Sequence, residues 1–504
     1  MSYSEKLLKG GFVVFVLAIA GSGLGYLLRI YLARSLSVND FGLFYSIITL
    51  LALVPFVTDL GLSTTLVKFL GEFRGSGKKD QVKSSIFMFV LLRLALAIII
   101  FIPMLYFSRE IALDYFKTAD AAIPLQLIVV SGIIGIVYLT LQVASQGLEN
   151  IKTYAFSEPV RLIALFCIIL PLAALNIVGL SYAYILSAII SLGFVVISLK
   201  LGKKVVGKKF LDQDLMKRML SFGLPLFIGG LSGFFLGYVD TILITLLRGV
   251  TDVALYQAAM PTSQILWTIV TSLNVILLPT ISEMWAKNQK KEVSSGLGLL
   301  SKIAFIFVIP FSIIMFAFSE DILNILFGPA YVSASLVLQI LAINAIFYTL
   351  YVIFSTALIA TGRPIIITKI TVLISVINIC MNIAFIPSLG IVAAALSTIA
   401  AYTIGSVIAY LALRKTMSFG VDIKALAMAL IGGLVSLAII FFIRSSVLAG
   451  IWTKVVVSIV ASTIFYVVFI LKTKTIKMNE LAAFRQLNIP IPRIIMRILS
   501  WLAL

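Results

Sequence analysis

Three arginines and three carboxylates sit inside long apolar stretches of this 504-residue chain: Arg29, Arg93 and Arg161, and Asp59, Asp240 and Glu158. An ionisable side chain in hydrocarbon is costly and marks a functional position by default. Arginine binds anions, phosphate above all, through a planar fork of donors. A carboxylate holds a cation, takes a proton or pairs with an arginine. Arg93 lies about nine residues into the stretch Ser85–Phe107, roughly 13 Å along a helix. Snorkelling from there is difficult, so it meets an anion or locks two helices by pairing with a carboxylate. Glu158 and Arg161 are three apart on one helix face and read as a structural pair. Asp59 has no charged neighbour before Lys68. It reads as a protonated or cation-binding carboxylate, or as a cap at the Asp59-Leu-Gly61 break.

Other chemistry is excluded by what the chain lacks. It has no His, no metal-ligand cluster, no phosphate-cradling Gly-rich motif and no nucleophile–base pair, so no catalytic residue, metal or cofactor is expected. The two cysteines, Cys167 and Cys380, fall inside apolar stretches and read as packing residues. A net charge of +19 raises nucleic acid as a partner, but the basic residues are scattered over short loops, which fits membrane topology instead.

The elements that carry these residues are membrane spans. The composition is 61% hydrophobic and 12% charged, with a mean hydropathy of +1.16. The apolar residues come in blocks of the length needed to cross a bilayer as helices. Fourteen spans are predicted, the first seven near Phe12–Ala33, Gly42–Phe69, Ser85–Phe107, Ile123–Gly147, Val160–Leu175, Leu180–Leu199 and Leu220–Leu247. The rest lie near Val253–Trp285, Leu297–Phe318, Val332–Ala360, Ile365–Ile386, Ile391–Leu413, Ala425–Ile443 and Thr453–Leu471. The first reads as a span rather than a cleaved signal, because no small-residue cleavage site follows it. With the N-terminus in the cytoplasm, the cytoplasmic side holds 29 of the 39 Lys and Arg and the outer side holds 6. That asymmetry predicts both termini in the cytoplasm. Arg34, Lys68 and Arg248 then fall near interfaces, where topogenic or snorkelling charges are common.

Shifting the chain by 212 residues aligns it with itself. Between Leu8 and Leu43, 11 of 36 positions are identical, including Gly11/Gly223, Gly21/Gly233, Gly25/Gly237, Tyr26/Tyr238 and Asp40/Asp252. Six spans per repeat is an even number, so the halves run in the same direction. The expected fold is all-α and integral to the membrane: two parallel-oriented six-helix bundles plus two additional C-terminal helices. Residues 1–199 would form the first bundle, 200–219 a cytoplasmic linker, 220–413 the second bundle, 425–471 the extra pair and 472–504 a cytoplasmic amphipathic tail. The substrate path is expected between the bundles, opening alternately to either side.

The motifs resemble the multidrug/oligosaccharidyl-lipid/polysaccharide (MOP) exporter superfamily, and within it the Wzx-type flippases of polysaccharide biosynthesis. The resemblance covers nearly the whole chain. It is carried by Tyr31-Leu-Ala-Arg34-Ser-Leu-Ser-Val-Asn-Asp40-Phe-Gly42-Leu-Phe-Tyr45, Asp59-Leu-Gly61-Leu-Ser, Tyr238-Val-Asp240-Thr-Ile-Leu-Ile and Val253-Ala-Leu-Tyr256-Gln-Ala-Ala-Met-Pro261. One departure is Ala254, where the family pattern usually has Gly. The resemblance implies a flippase of the cell membrane that exports a polyprenyl-(di)phosphate-linked oligosaccharide from the inner to the outer leaflet. Membrane lipid and other polysaccharide-assembly proteins are the expected partners. On that reading Arg29, Arg93, Arg161, Arg34 and Arg248 contact substrate, while Asp59, Asp240 and Glu158 couple cations or partner the arginines. Asp240 aligns with Leu28 in the repeat, so it is expected to face Arg29 across a cationic cavity. Coupling to H+, Na+ or membrane potential is open. An organic-cation antiporter of the same superfamily is the alternative, but it would concentrate carboxylates in its cavity. A membrane glycosyltransferase would need a sizeable loop that this chain does not have.

Overall fold

Residues 3–172, 176–199, 213–445 and 450–475 are described by a computed structural model, and every regular element among them is helical. Most of the expected linker and nearly all of the C-terminal tail lie outside the described residues. The first eight α-helices are α1 (Tyr3–Ser35), α2 (Val38–Asp59), α3 (Leu62–Gly75), α4 (Lys79–Tyr106), α5 (Ser108–Asp114), α6 (Ala122–Gly147), α7 (Ile151–Leu172) and α8 (Asn176–Ser198). Then come α9 (Gln213–Leu247), α10 (Val250–Ala286), α11 (Lys290–Ala317), α12 (Ser319–Leu326), α13 (Ser335–Ala360), α14 (Pro364–Leu389), α15 (Ile391–Thr416), α16 (Ile423–Ser445) and α17 (Ile451–Lys472). Among the described residues, 12 helices are long and apolar enough to cross a membrane. This is an all-α, multi-pass membrane fold.

The second expected span, Gly42–Phe69, is two helices rather than one. Leu60 (φ 47°) and Gly61 (φ 71°) both adopt the left-handed conformation, which ends α2 at Asp59 and starts α3 at Leu62. A leucine there is disfavoured by its own Cβ. Gly61 is demanded by its surroundings as well, since a Cβ would lie 2.1 Å from the Gly223 carbonyl oxygen of α9. Beyond the break, Leu62, Leu66, Phe69, Leu70 and Phe73 recur at helical spacing and are buried against Ile86 and Phe89 of α4 and Tyr138 and Leu141 of α6.

The chain forms two compact units. Unit 1 comprises Met1–Gln257 with the short segments Leu326–Ala330 and Ile386–Gly390. Within it, the first turns of α2 and α10 meet at backbone distance. A Cβ on Gly42 would lie 1.9 Å from the Val250 carbonyl oxygen and 3.0 Å from the Ala254 nitrogen. Close approach over small residues is how helices associate in lipid, where no hydrophobic drive acts between them.

Unit 2 comprises Ala258–Ile325, Tyr331–Phe385 and Ile391–Leu504. In it α16 and α17 dock on α11. Phe305 and Ile309 pack against Ala429, Tyr466 and Ile470, and the Tyr466 hydroxyl donates to the Ile306 carbonyl (3.0 Å). Ion pairs hold the docking at both ends, Lys302–Asp422 (3.3 Å) and Arg444–Asp321 (2.9 Å).

Candidate functional site

The charged residues singled out in the sequence all lie in unit 1, where some of the expected pairs form and others do not. Arg93 and Asp59 come together: Arg93 Nη1 lies 3.6 Å from Asp59 Oδ1. The same guanidinium donates to the Pro55 carbonyl (2.9 Å) and to Thr140 Oγ1 (3.5 Å). Arg93 is 3% exposed, so it is packed among helices rather than presented to a ligand. Asp59 is not the lone carboxylate of the sequence reading. It bonds Arg93 and also caps the first turn of α3, accepting from the Ser63 amide (3.4 Å) and the Ser63 hydroxyl.

Arg29 does not face Asp240. Its Nη1 donates to the Gln257 carbonyl (2.9 Å) and to Gln257 Oε1 (2.5 Å), and its guanidinium lies 4.0 Å from the centre of the Tyr45 ring. Asp240 instead accepts from the Tyr256 hydroxyl at 2.6 Å. Equal depth on repeat-related helices does not fix rotation about the helix axes, and here the rotation sends the two side chains to different neighbours. Among the described residues Arg29 is paired with no carboxylate. Its charge is spread over an amide side chain, a carbonyl and an aromatic face.

Glu158 and Arg161 form the expected pair on α7, and it is bidentate, with Nε–Oε2 at 3.0 Å and Nη2–Oε1 at 2.5 Å. The Tyr138 hydroxyl donates to Glu158 Oε2 (3.4 Å). This pair borders two cavities. One, of about 470 Å³, is lined by Gly21, Ser22 and Gly25 of α1 with Gln142 and Tyr154. The other, of about 400 Å³, is lined by Leu51 and Pro55 of α2, Tyr138 of α6 and Tyr184 of α8. Tyr184 is within electrostatic reach of both Arg161 and Arg29, and its ring meets Phe44 beside Tyr45.

Arg34 and Arg248 are tied down. Arg34 Nε donates to the Leu326 carbonyl (2.8 Å), and Arg248 pairs with Asp252 (2.9 Å), one helical turn away. Lys68 lies over the Phe222 ring, 3.9 Å from its centre. Sequence reading missed the aromatic partners Tyr138 and Tyr184, because an apolar helix gives a tyrosine no distinguishing pattern, and it assigned no role to Tyr45 and Tyr256 within their motifs. It also missed Lys302 of α11, which falls inside the expected span Leu297–Phe318 and is buried beside Asp422.

Taken together, unit 1 offers largely apolar cavities with a few polar groups, bordered by one neutralised arginine and by tyrosines, with a second arginine nearby that has no carboxylate partner among the described residues. Such a surface can hold an anionic head group and hydrogen-bond hydroxyls while α-helical walls face lipid.

The family model described as polysaccharide biosynthesis protein matches residues 7–285, and the MatE model matches residues 225–384. An uncharacterized membrane protein of Methanocaldococcus jannaschii is 30% identical over 466 residues, 88% of this chain and 91% of its own. The probable low-salt glycan biosynthesis flippase Agl15 of Haloferax volcanii is 23% identical, over 80% of this chain and 82% of its own length. Among solved structures, the lipid II flippase MurJ in an inward closed conformation aligns with a TM-score of 0.75 at 17% identity, covering 91% of this chain and 98% of that one. At that identity the likeness speaks for the fold.

Proposed function

Because the chain belongs to the polysaccharide biosynthesis protein family, within the MOP superfamily of membrane transporters rather than enzymes, we propose that it is a flippase for a lipid-linked oligosaccharide. The cargo is a glycan on a polyprenyl mono- or diphosphate, carried from the inner to the outer leaflet by alternating access. A sugar chain stripped of water loses several kcal/mol for each unsatisfied polar group, so unaided crossing is prohibitive. A hydrated, cationic chamber removes that barrier while the prenyl tail stays in lipid.

The observation that carries this reading is Arg29, a full positive charge within the helical bundle without a carboxylate partner among the described residues. It is assigned to the phosphate. Arg161 is the second anion-binding group, released when Glu158 lets go, and Tyr138 and Tyr184 supply hydroxyls and ring faces to the sugar. An organic-cation antiporter would need a free carboxylate instead, and Asp59 and Glu158 are each held by an arginine. Coupling draws on a proton gradient, a sodium gradient or the membrane potential acting on Arg29. Other polysaccharide-assembly proteins would supply the cargo and take it up.

The test is reconstitution of the full chain in liposomes with a fluorescently labelled polyprenyl-diphosphate oligosaccharide, following its arrival in the far leaflet under each gradient separately. Flux that depends on the protein and falls in Arg29→Ala supports the assignment. Absence of flux, with uptake of a lipophilic cation in its place, would transfer the chain to the antiporter class.

A further inference from the structure

The break between α2 and α3 is bound by charges of opposite sign. The carbonyl end of α2 carries partial negative charge and the amide end of α3 partial positive charge. Arg93 meets the first, donating to the Pro55 carbonyl (2.9 Å). Asp59 meets the second, accepting from Ser63 at the start of α3. The two charges then join each other at 3.6 Å, and Thr140 of α6 steadies the guanidinium from a third side. The bridge is asymmetric: Arg93 is 3% exposed and the Asp59 side chain 21%. Pro55 also lines the 400 Å³ cavity shared by Arg161 and Tyr184. Arg93 thus touches a wall residue without itself lining that space.

We propose that Arg93 is a positioning residue: paired with Asp59 it fixes the angle at the break between α2 and α3, and through Pro55 it sets the wall of the cavity in which Arg161 lies. Its part in transport rests on the flippase reading; its part in holding the break does not. Arginine is needed because the acceptors sit on α2, at its end and on α6. A planar fork reaches such an array, and a single ammonium does not. Asp59 and Arg93 act as one unit, so loss of either leaves the other without its function.

The experiment uses the full-length chain in liposomes on a Cys167→Ala, Cys380→Ala background. Spin labels at Ser76→Cys, at the end of α3, and Lys152→Cys, at the start of α7, report the spread of distances without any substrate. The parent should give one narrow distribution. Arg93→Ala, Arg93→Lys and Asp59→Asn should each broaden it, and the Arg93→Ala/Asp59→Asn double variant should be no broader than the wider single one. In the flux assay with labelled polyprenyl-diphosphate oligosaccharide, Arg93→Ala should lower turnover about tenfold or more with the apparent KM unchanged. A distance distribution in Arg93→Ala identical to the parent overturns the proposal. So does a raised KM with turnover intact, which would make Arg93 a substrate contact. If the alanine variant fails to fold, Asp59→Asn, which keeps an acceptor for Ser63, decides by the same two readouts. The distance arm stands even if the parent chain moves no oligosaccharide.

Discussion

Asn39 and Thr251 are hydrogen-bonded to one another through their side chains at 3.1 Å, and they are 212 residues apart. That separation is the offset at which the sequence aligns with itself. Gly42 and Ala254, another pair at the same offset, also meet. Equivalent positions of a repeat can touch each other only near a local two-fold axis. Within unit 1 such an axis passes between the first turns of α2 and α10. The Gly at 42 and the Ala at 254 are the two sides of one contact, and that contact leaves no room for a Cβ on residue 42.

Gly42→Ala should therefore be destabilising although alanine is the better helix former. The added carbon would lie 1.9 Å from the Val250 carbonyl oxygen, backbone that cannot rotate away, so α2 and α10 must part. Overpacking of this kind costs roughly 1–3 kcal/mol. Ala254→Gly, which forces nothing into the contact, should cost less. Thermal unfolding of the purified protein in detergent compares the two, and equal midpoints would show that the contact is looser than described.

Arg29→Gln should weaken affinity for the anionic head. A charge-assisted hydrogen bond contributes about 1.5–3 kcal/mol, so the apparent KM for the labelled lipid-linked oligosaccharide should rise about ten- to a hundredfold. Tyr45→Phe should be nearly silent, since the ring face beneath the guanidinium is kept, whereas Tyr45→Ala should cost about 0.5–2 kcal/mol. A flux assay at several substrate concentrations reads both. An unchanged KM in Arg29→Gln removes Arg29 from the site.

Glu158→Gln tests whether Arg161 is held in reserve. The amide breaks the bidentate ion pair (3.0 and 2.5 Å) while keeping the shape of the side chain. Arg161 then offers its full charge to the cavities it borders. Binding of the oligosaccharide should tighten and turnover should slow, because a ligand held harder leaves later. Equilibrium binding together with initial flux rates gives both quantities; weaker binding would contradict the role given to Arg161.

In unit 2 the two partners of the half-buried pair Lys302–Asp422 should respond differently. Lys302 is buried and Asp422 largely accessible. Lys302→Met keeps the apolar stem and removes the charge, a replacement that is often neutral or better. Asp422→Ala takes the carboxylate from beside a buried ammonium, the kind of loss that costs about 3–5 kcal/mol. It also removes the acceptor for the Ala425 amide at the start of α16. Unfolding midpoints should rank Asp422→Ala well below Lys302→Met, and the reverse order would mean that the ammonium is not sealed.

How far the sequence could be read depended on whether partners share a helix. Glu158 and Arg161 are three apart, so helical geometry alone brings them together. The repeat was legible because identity at a fixed offset survives without any knowledge of packing. Arg93 and Asp59 were both conspicuous as charges in apolar stretches, yet nothing in either stretch names the other, because the pair joins different helices. Arg29 illustrates the same limit: its partner Gln257 is 228 residues away, and amides in spans are too common to single one out. The break at Leu60–Gly61 was signalled by Asp-Leu-Gly, but that Gly61 must admit the Gly223 carbonyl is a fact of tertiary structure.

The docking of α16 and α17 on α11 has a mechanical meaning. Gly433 lets Ile309 and Ile313 seat against α16, and Gly432 does the same for Phe469 of α17. The ion pairs Lys302–Asp422 and Arg444–Asp321 flank this apolar fit at the two ends of α16. Sliding the hairpin lengthwise would break both at once, and tilting it would lever one open. The added helices behave as a splint: any movement of α11 is obliged to carry the pair with it.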